Sequence, residues 1–312
     1  MLYFGSRTSG RTAGCHDRKM IGNMLSSEQQ QGINTPATIG ELLQNAASVV
    51  DRIDARWLLQ SVLNVDAAFL ITHAELLLGM EQIVHFQQLL ARRMAGEPVA
   101  YLTGERGFYD LVFDVTPDVL IPRPETELLV EMALSKIPPD RCCNILDLGT
   151  GSGAIAITIA RHRPDIYVTA VDLSPLALAV ARRNAKRCSV ENVVFIKADW
   201  FSGFISEKFD VIVANPPYIV EGDPHLEADG LRFEPTIALV AQNNGLDCIR
   251  RIVDQAPDYL EHSGWLMLEH GYDQADVCRR LLDKTGFSHI FTRSDLAGID
   301  RVTGGQYGLV PA

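Results

Sequence analysis

Two short segments of this chain carry residue types that can do chemistry together. Asn215-Pro216-Pro217-Tyr218 follows the apolar run Phe209-Asp210-Val211-Ile212-Val213-Ala214, which reads as a buried β-strand. The prolines end that strand and fix the backbone at its carboxyl end, where open α/β sheets bind ligands. An amide, two rigid imino residues and an aromatic ring suit the capture of a flat, polar, amide-like or amidine-like group. Upstream, Asn144-Ile145-Leu146-Asp147-Leu148-Gly149-Thr150-Gly151-Ser152-Gly153 is a strand running into a glycine-rich turn, and Ala154-Ile155-Ala156-Ile157 opens a helix behind it. Glycines at alternate positions let a ligand lie against bare backbone.

The spacing of that turn is G-x-G-x-G, not the G-x-G-x-x-G of dinucleotide folds. With Asp147 two residues before the first glycine, it favours S-adenosylmethionine over a pyrophosphate. The Asp147 carboxylate can hold the ammonium of that zwitterion, directly or through water, with Gly149, Thr150, Gly151, Ser152 and Gly153 as the cradle. The strand Tyr167–Val171 ends at Asp172, an acid placed to accept both ribose hydroxyls. A helix cap before Ser174-Pro175 is the competing role for it. The strand Val193–Lys197 ends at Ala198-Asp199-Trp200. There Asp199 can bond the adenine amino group, and Trp200 can stack on the ring or serve as plain core. Four successive strand ends thus offer a glycine loop, a ribose acid, an adenine contact and an acceptor clamp. The ordered set is far more specific than any member.

Alternating strand and helix patterns must position these groups. Strands are expected at 143–148, 167–171, 193–197, 209–214, 264–270, 287–293 and 306–310. Helices are expected at 125–136, 153–162, 175–187, 243–260 and 273–285. This order predicts an α/β fold, a mostly parallel sheet covered by helices on both faces. Ahead of it, residues 36 to 95 read as helical. Thr38-x-x-Glu41 resembles a capping box. Further helices are expected over Asp54–Leu63, with Trp57, Leu58, Val62 and Leu63 on the apolar stripe, over Ala67–Thr72, and over Glu81–Met94 with Gly96 beyond its end. This small bundle is either a stabilising appendage or a docking module. Between the two parts, Phe108–Val115 has strand character, and Pro124 with the acids after it suits a helix start.

The bulk numbers bound the reading. The chain has 312 residues, 47% hydrophobic and 21% charged, with a net charge of −11. That balance argues against a duplex-binding surface. No segment approaches a bilayer span. The six cysteines contain no C-x-x-C pair, so neither a disulfide framework nor a zinc site is expected, and a reduced cytoplasmic setting follows. No metal is expected elsewhere either. Gly5 to Lys19 is rich in Gly, Ser, Thr and Arg. It reads as a disordered tail, with a transit peptide or an early start codon before Met20 or Met24 as the other readings.

The Gly149–Gly153 loop, Asp172, Asp199-Trp200 and Asn215–Tyr218 together resemble class I (Rossmann-like) methyltransferases that modify planar nitrogens. Gly96-Glu97-Pro98, Tyr101-Leu102-Thr103-Gly104, Ile121–Glu127, Arg232-Phe233-Glu234-Pro235 and Leu268-Glu269-His270-Gly271 narrow the match. With them the chain resembles the HemK/PrmC group, the peptide chain release factor glutamine N5-methyltransferases, over about residues 36 to 310. The resemblance implies a seven-stranded methyltransferase domain at 124–312 with an antiparallel last strand. It implies a helical domain at 34–96 that docks the release factor, joined through a 97–123 linker of β-hairpin character, with 1–33 as a tail. It also implies S-adenosylmethionine as methyl donor and the GGQ glutamine of release factors as acceptor. Phe108 and Arg123–Glu127 would close over the cofactor, although by pattern alone Phe108 is core. Glu269 and His270 either line the site or are structural.

In this reading the Asn215 oxygen accepts one N–H of the substrate amide and the Pro216 carbonyl accepts the other. Pro217 rigidifies the turn, and Tyr218 packs on the amide plane. No general base is evident; the proton can leave after transfer, when the methylated amide is very acidic. The rival readings are an adenine-N6 nucleic-acid methyltransferase, whose target amine has similar geometry, a dinucleotide oxidoreductase, and a cofactor-binding adaptor. The expected partner is a release factor, with no direct nucleic acid, no membrane and a monomeric state. Gly304-Gly305-Gln306 copies the tripeptide that release factors carry as the methylation target. Automethylation is one reading of it; the simpler one makes the glycines the turn into the last strand.

Overall fold

The computed structural model describes residues 36–227 and 230–308. They fall into two compact units, one ending at Met94 and one beginning at Ala95. The expected tail at 1–33 lies outside the described residues.

The described part of the first unit holds α1 (Ile39–Ala46), α2 (Arg52–Leu63), α3 (Ala67–Thr72) and α4 (Met80–Met94). The capping box is present: the Thr38 hydroxyl accepts from the Glu41 N–H, and the Glu41 carboxylate accepts from the Thr38 N–H at 2.8 Å. Helix α2 starts ahead of the expected Asp54, because the Asp51 carboxylate caps the Ile53 N–H. Its buried stripe is Ala55, Leu58 and Leu59. Trp57, expected on that stripe, is 55% exposed, and Ile53 one turn earlier is 63% exposed.

The second unit opens with α5 (Val99–Thr103) and the hairpin of β1 (Glu105–Phe108) and β2 (Leu111–Asp114). The run from Phe108 to Val115 thus breaks into two strands, with Tyr109 at φ 58 in the turn. A 3-10 turn over Pro124–Thr126 leads into α6 (Glu127–Lys136). The core elements follow: β3 (Asn144–Leu148), α7 (Ala154–His162), β4 (Tyr167–Asp172), α8 (Pro175–Arg187), β5 (Val193–Lys197) and β6 (Phe209–Ala214). A small pair, β7 (Ile219–Val220) and β8 (Val240–Ala241), precedes α9 (Asp247–Gln255), β9 (Leu260–Glu269), α10 (Ala275–Lys284), β10 (Phe287–Ser294) and β11 (Asp300–Tyr307).

Seven strands form one sheet in the order β10-β11-β9-β6-β3-β4-β5. All neighbours from β9 to β5 are parallel, and β11 is antiparallel to both β9 and β10. Burial on both faces explains the unbroken apolar strands. Ile145, Val211, Val213 and Met267 face α6 and α7 in one core. Leu146, Leu148, Ile212, Ala214, Leu266 and Leu268 face α9 and α10 in the other. The chain runs outward from β3 through β4 to β5 and then returns to β6 on the other side of β3. The crevice at this reversal is the ligand site of open parallel sheets.

Two expectations fail here. The helix expected over 243–260 is broken, with Asn243 and Asn244 left-handed at φ 52 and 59. At Gly245 the chain runs so close to the Tyr218 carbonyl that a Cβ has no room. The last strand also starts earlier than expected, at Asp300, so Gly304-Gly305-Gln306 lies inside the sheet and is no turn. A Cβ on Gly304 would lie 2.7 Å from the Met267 Cγ and 2.8 Å from the Leu266 carbonyl oxygen. Close strand packing therefore explains that glycine. Residues 309 and 310 lie outside the described residues.

Candidate active site

The glycine turn leaves β3 and enters α7 with Gly149, Gly151 and Gly153 at φ 74, 56 and 84. These values explain why glycine stands at each position. The Gly149 and Thr150 N–H groups both donate to the Val171 carbonyl, which ties the turn to the end of β4. A Cβ on Gly151 would meet nothing within 4 Å, so this backbone faces open space. At Gly153 it would strike Ile157 and Ala181, so this glycine serves the packing of α7 on α8.

Asp172 closes β4. One carboxylate oxygen accepts from the Gly151 N–H and the other from the Ser174 N–H, both at 2.8 Å. Each oxygen keeps a lone pair for a further donor. Asp172 can thus hold the turn and still face a ligand, while the helix cap, its competing role, is Ser174, whose hydroxyl accepts from the Ala177 N–H at 3.2 Å. Burial pushes its carboxyl up, against the N–H bonds that favour the charge. Asp199 pairs with Arg251 at 3.1 Å. Trp200 takes φ 52, and its ring lies against Gly149.

A cavity of about 350 Å³ lies over these strand ends. Gly149, Thr150, Gly151, Ser152, Asp172, Asp199, Trp200, Asn215 and Pro217 all line it. The set suits S-adenosylmethionine: bare backbone, an acid with free lone pairs, and an indole beside a second acid. Two expected contacts stand elsewhere. Gly153 does not line the cavity, and neither does Asp147. Asp147 is fully buried under the turn, accepting from the Thr150 hydroxyl at 2.6 Å, with its other oxygen unpartnered. Burial pushes its carboxyl up to about 7. Its visible effect is to hold Thr150, which does line the cavity.

Asn215 lies at the end of β6 and lines this cavity and a second one of about 260 Å³. Its Nδ2 donates to the Thr126 hydroxyl at 3.1 Å, which leaves Oδ1 as the free acceptor of the amide. Tyr218 and Glu269 line the second cavity with Glu125 and Arg301. Burial raises the Tyr218 phenol above its ordinary range, so it stays protonated. Pro216 is buried and lines neither cavity.

Of the segment expected to close over the cofactor, Arg123 lines both cavities and Thr126 the first, but Phe108 does neither. Phe108 is 2% exposed and packs edge-on against Phe113 in the core, as its pattern alone suggests. His270 is fully buried, and its ring is engaged by Thr303 and the Gly271 carbonyl. Sequence reasoning does not single out Thr126 within Arg123–Glu127 and gives no role to Glu234. Glu234 accepts from the Ile121 N–H at 3.0 Å and pairs with Arg123, so the Arg232–Pro235 segment braces the Ile121–Glu127 segment. Both segments stood out as motifs, but their contact spans more than a hundred residues.

Comparison with known proteins gives the family and the fold. Residues 37–104 match the PrmC N-terminal domain, and residues 125–229 match the methyltransferase small domain. A release factor glutamine methyltransferase of Burkholderia pseudomallei is 49% identical over 278 residues, covering 87% of this chain and 97% of the relative. Those of Vibrio cholerae and Escherichia coli are 47% and 44% identical, covering 86% and 85% of this chain and 93% and 95% of their own. Among solved structures, a methyltransferase from Pyrococcus furiosus has a TM-score of 0.50 at 19% identity, covering 72% of this chain and all of its own. The human Mettl16 catalytic domain has a TM-score of 0.52 at 16% identity, covering 74% and 84%. At such identities these two show the fold alone.

Proposed function

The chain belongs to the HemK/PrmC family of release factor glutamine methyltransferases, and from that premise we propose that the cavities meeting at Asn215 receive S-adenosylmethionine on one side and the acceptor glutamine on the other. The enzyme is an S-adenosylmethionine-dependent protein-glutamine methyltransferase. Its acceptor is the side-chain amide nitrogen of the GGQ glutamine in release factors. The observation that carries the site assignment is the sharing of Asn215 by both cavities, with its oxygen left free.

The Gly149–Ser152 backbone, Asp172, Asp199 and Trp200 hold the cofactor. When bound, it supplies a sulfonium methyl group, an electrophile that needs no metal. An amide nitrogen is a poor nucleophile, because its lone pair is delocalised into the carbonyl. The protein's task is therefore to hold that nitrogen in line and enrich it. Asn215 Oδ1 accepts one N–H of the substrate amide, leaving the second N–H turned into the cavity that Tyr218 and Glu269 line. Pro217 makes the turn rigid, and Tyr218 packs on the amide plane. Positioning and fixed dipoles of this kind supply large accelerations in a dry site.

The first unit docks the release factor. Its exposed apolar residues support this: Ile53 and Trp57 lie one turn apart on α2 and share a face. The protein works as a cytoplasmic monomer. Among the described residues, no helix is long and apolar enough to cross a membrane. An adenine acceptor is disfavoured by the net charge of −11.

The test uses purified protein, labelled S-adenosylmethionine and either release factor or DNA. Label on the GGQ glutamine is expected, and label on DNA alone would refute the reading. Asn215→Ala should lower transfer by about 100-fold or more while cofactor affinity stays within a few-fold. Turnover near wild type would remove Asn215 from the mechanism.

A further inference from the structure

Methyl transfer to an amide nitrogen releases a proton, and the groups assigned so far cannot keep it. The Asn215 oxygen is an amide oxygen and only weakly basic. Tyr218 is already protonated, and Asp172 stands at the cofactor end, held by Gly151 and Ser174.

The second cavity contains a better acceptor. Glu269 closes β9, whose Leu268 pairs with Ala214 of β6, so Glu269 and Asn215 emerge side by side from parallel strands. Glu269 is 1% exposed and lines the cavity with Asn215 and Tyr218, and its Oε2 has no hydrogen-bond partner. A buried carboxylate oxygen without a donor is costly and needs an explanation. The Thr126 hydroxyl and the Asn215 amide are its polar neighbours and favour its charged form, as does Arg301 from β11. Glu125 opposes the charge from the segment before α6. Arg123 also lines the cavity and is paired with Glu234.

We propose that Glu269 is the general base of this enzyme, its carboxylate receiving the proton that the substrate amide gives up. This rests on the methyltransferase reading above. In the step, the nitrogen electron pair forms the bond to the methyl carbon, and the carbon–sulfur bond breaks with its pair left on sulfur. One N–H proton passes to the Glu269 carboxylate and later to water, and the product keeps its other N–H. Burial pushes the Glu269 carboxyl up to about 7, near the optimum for a base at neutral pH.

The test compares wild type, Glu269→Gln and Glu269→Asp in single turnovers with release factor between about pH 5.5 and 9. The wild-type rate should rise with pH through about 7 and then level. Glu269→Gln should be slower by about 100-fold and lack that rise, while Glu269→Asp should recover part of the rate together with the rise. Calorimetry should find cofactor affinity within about threefold in all three proteins. Infrared difference spectra of the wild type without ligands should show two carboxyl bands titrating near pH 7, one from Asp147 that Glu269→Gln keeps and one from Glu269 that it lacks. A Gln variant with wild-type rate and pH dependence would overturn the proposal. So would a folded Asp variant without the rise, or a Glu269 band that titrates below about pH 5, which also decides the matter should the Gln variant not fold. A wild type that leaves release factor unlabelled would fail earlier, at the reading beneath the proposal.

Discussion

The Asn215 side-chain amide donates through Nδ2 to the hydroxyl of Thr126, eighty-nine residues away, at 3.1 Å. This one bond sets which end of the amide remains for a substrate. Thr126 is only 4% exposed and sits in the turn between Arg123 and α6, so the clamp after β6 is aimed by a residue from another segment.

Replacing that hydroxyl should therefore damage catalysis without removing any group assigned to touch substrate. Thr126→Val keeps the shape and loses the hydrogen bond. A fall in kcat of about 10-fold, corresponding to ~1.4 kcal/mol, is expected, with cofactor affinity unchanged. Thr126→Ser should stay near wild type. Equal rates for the Val and Ser variants would show that Thr126 does not aim Asn215.

Asp147 predicts a pH-dependent stability. Its folded-state carboxyl is pushed up to about 7 from an ordinary 3.8, because burial disfavours the charge. Between those values the folded chain keeps a proton that the unfolded chain has released. The resulting stability is full below the unfolded value and is lost as pH rises towards about 7. Asp147→Asn still accepts from Thr150 and escapes this loss. In denaturant titrations the variant should gain on wild type from about pH 4 to 7, by on the order of 1 kcal/mol per pH unit within the window. Parallel curves would refute a raised Asp147.

The exposed face of α2 predicts a kinetic split. Trp57→Ala, alone or with Ile53→Ala, removes apolar surface that is 55% and 63% exposed, so folding should survive. KM for the release factor should rise by about 10-fold, while kcat and cofactor affinity hold. An unchanged KM in the double variant would move docking off this face.

The tripeptide at 304–306 makes a negative prediction. Gln306 is bound in β11, where its Nε2 donates to the Ser263 carbonyl at 2.8 Å. Peptide mass mapping after incubation with S-adenosylmethionine should find Gln306 unmethylated. Gly304→Ala should instead destabilise the sheet by about 1–3 kcal/mol, read as a lower Tm, because its Cβ meets Met267 and Leu266. A methylated Gln306 would reverse this assignment.

By itself the sequence determined the order of the sheet elements and the contents of their ends. Apolar runs such as Phe209–Ala214 and the glycines after Leu148 declare local structure, because strand burial and turn geometry depend on neighbours in the chain. For that reason the helix over Pro175–Arg187 and the strands at 193–197 and 209–214 appear where the pattern places them. Local pattern misled where a distant contact overrode it. Asn243 and Asn244 break the expected helix where Gly245 packs against Tyr218, and position 304 is a glycine inside a strand because Met267 and Leu266 leave no room for a Cβ. The site divides in the same way. Its strand-end residues were legible, but the tertiary structure decided that Asp147 lies beneath the turn, that Thr126 orients Asn215, and that Glu269 emerges beside it with a free oxygen. Each of these is a pairing across elements, and no spacing along one strand or helix encodes it.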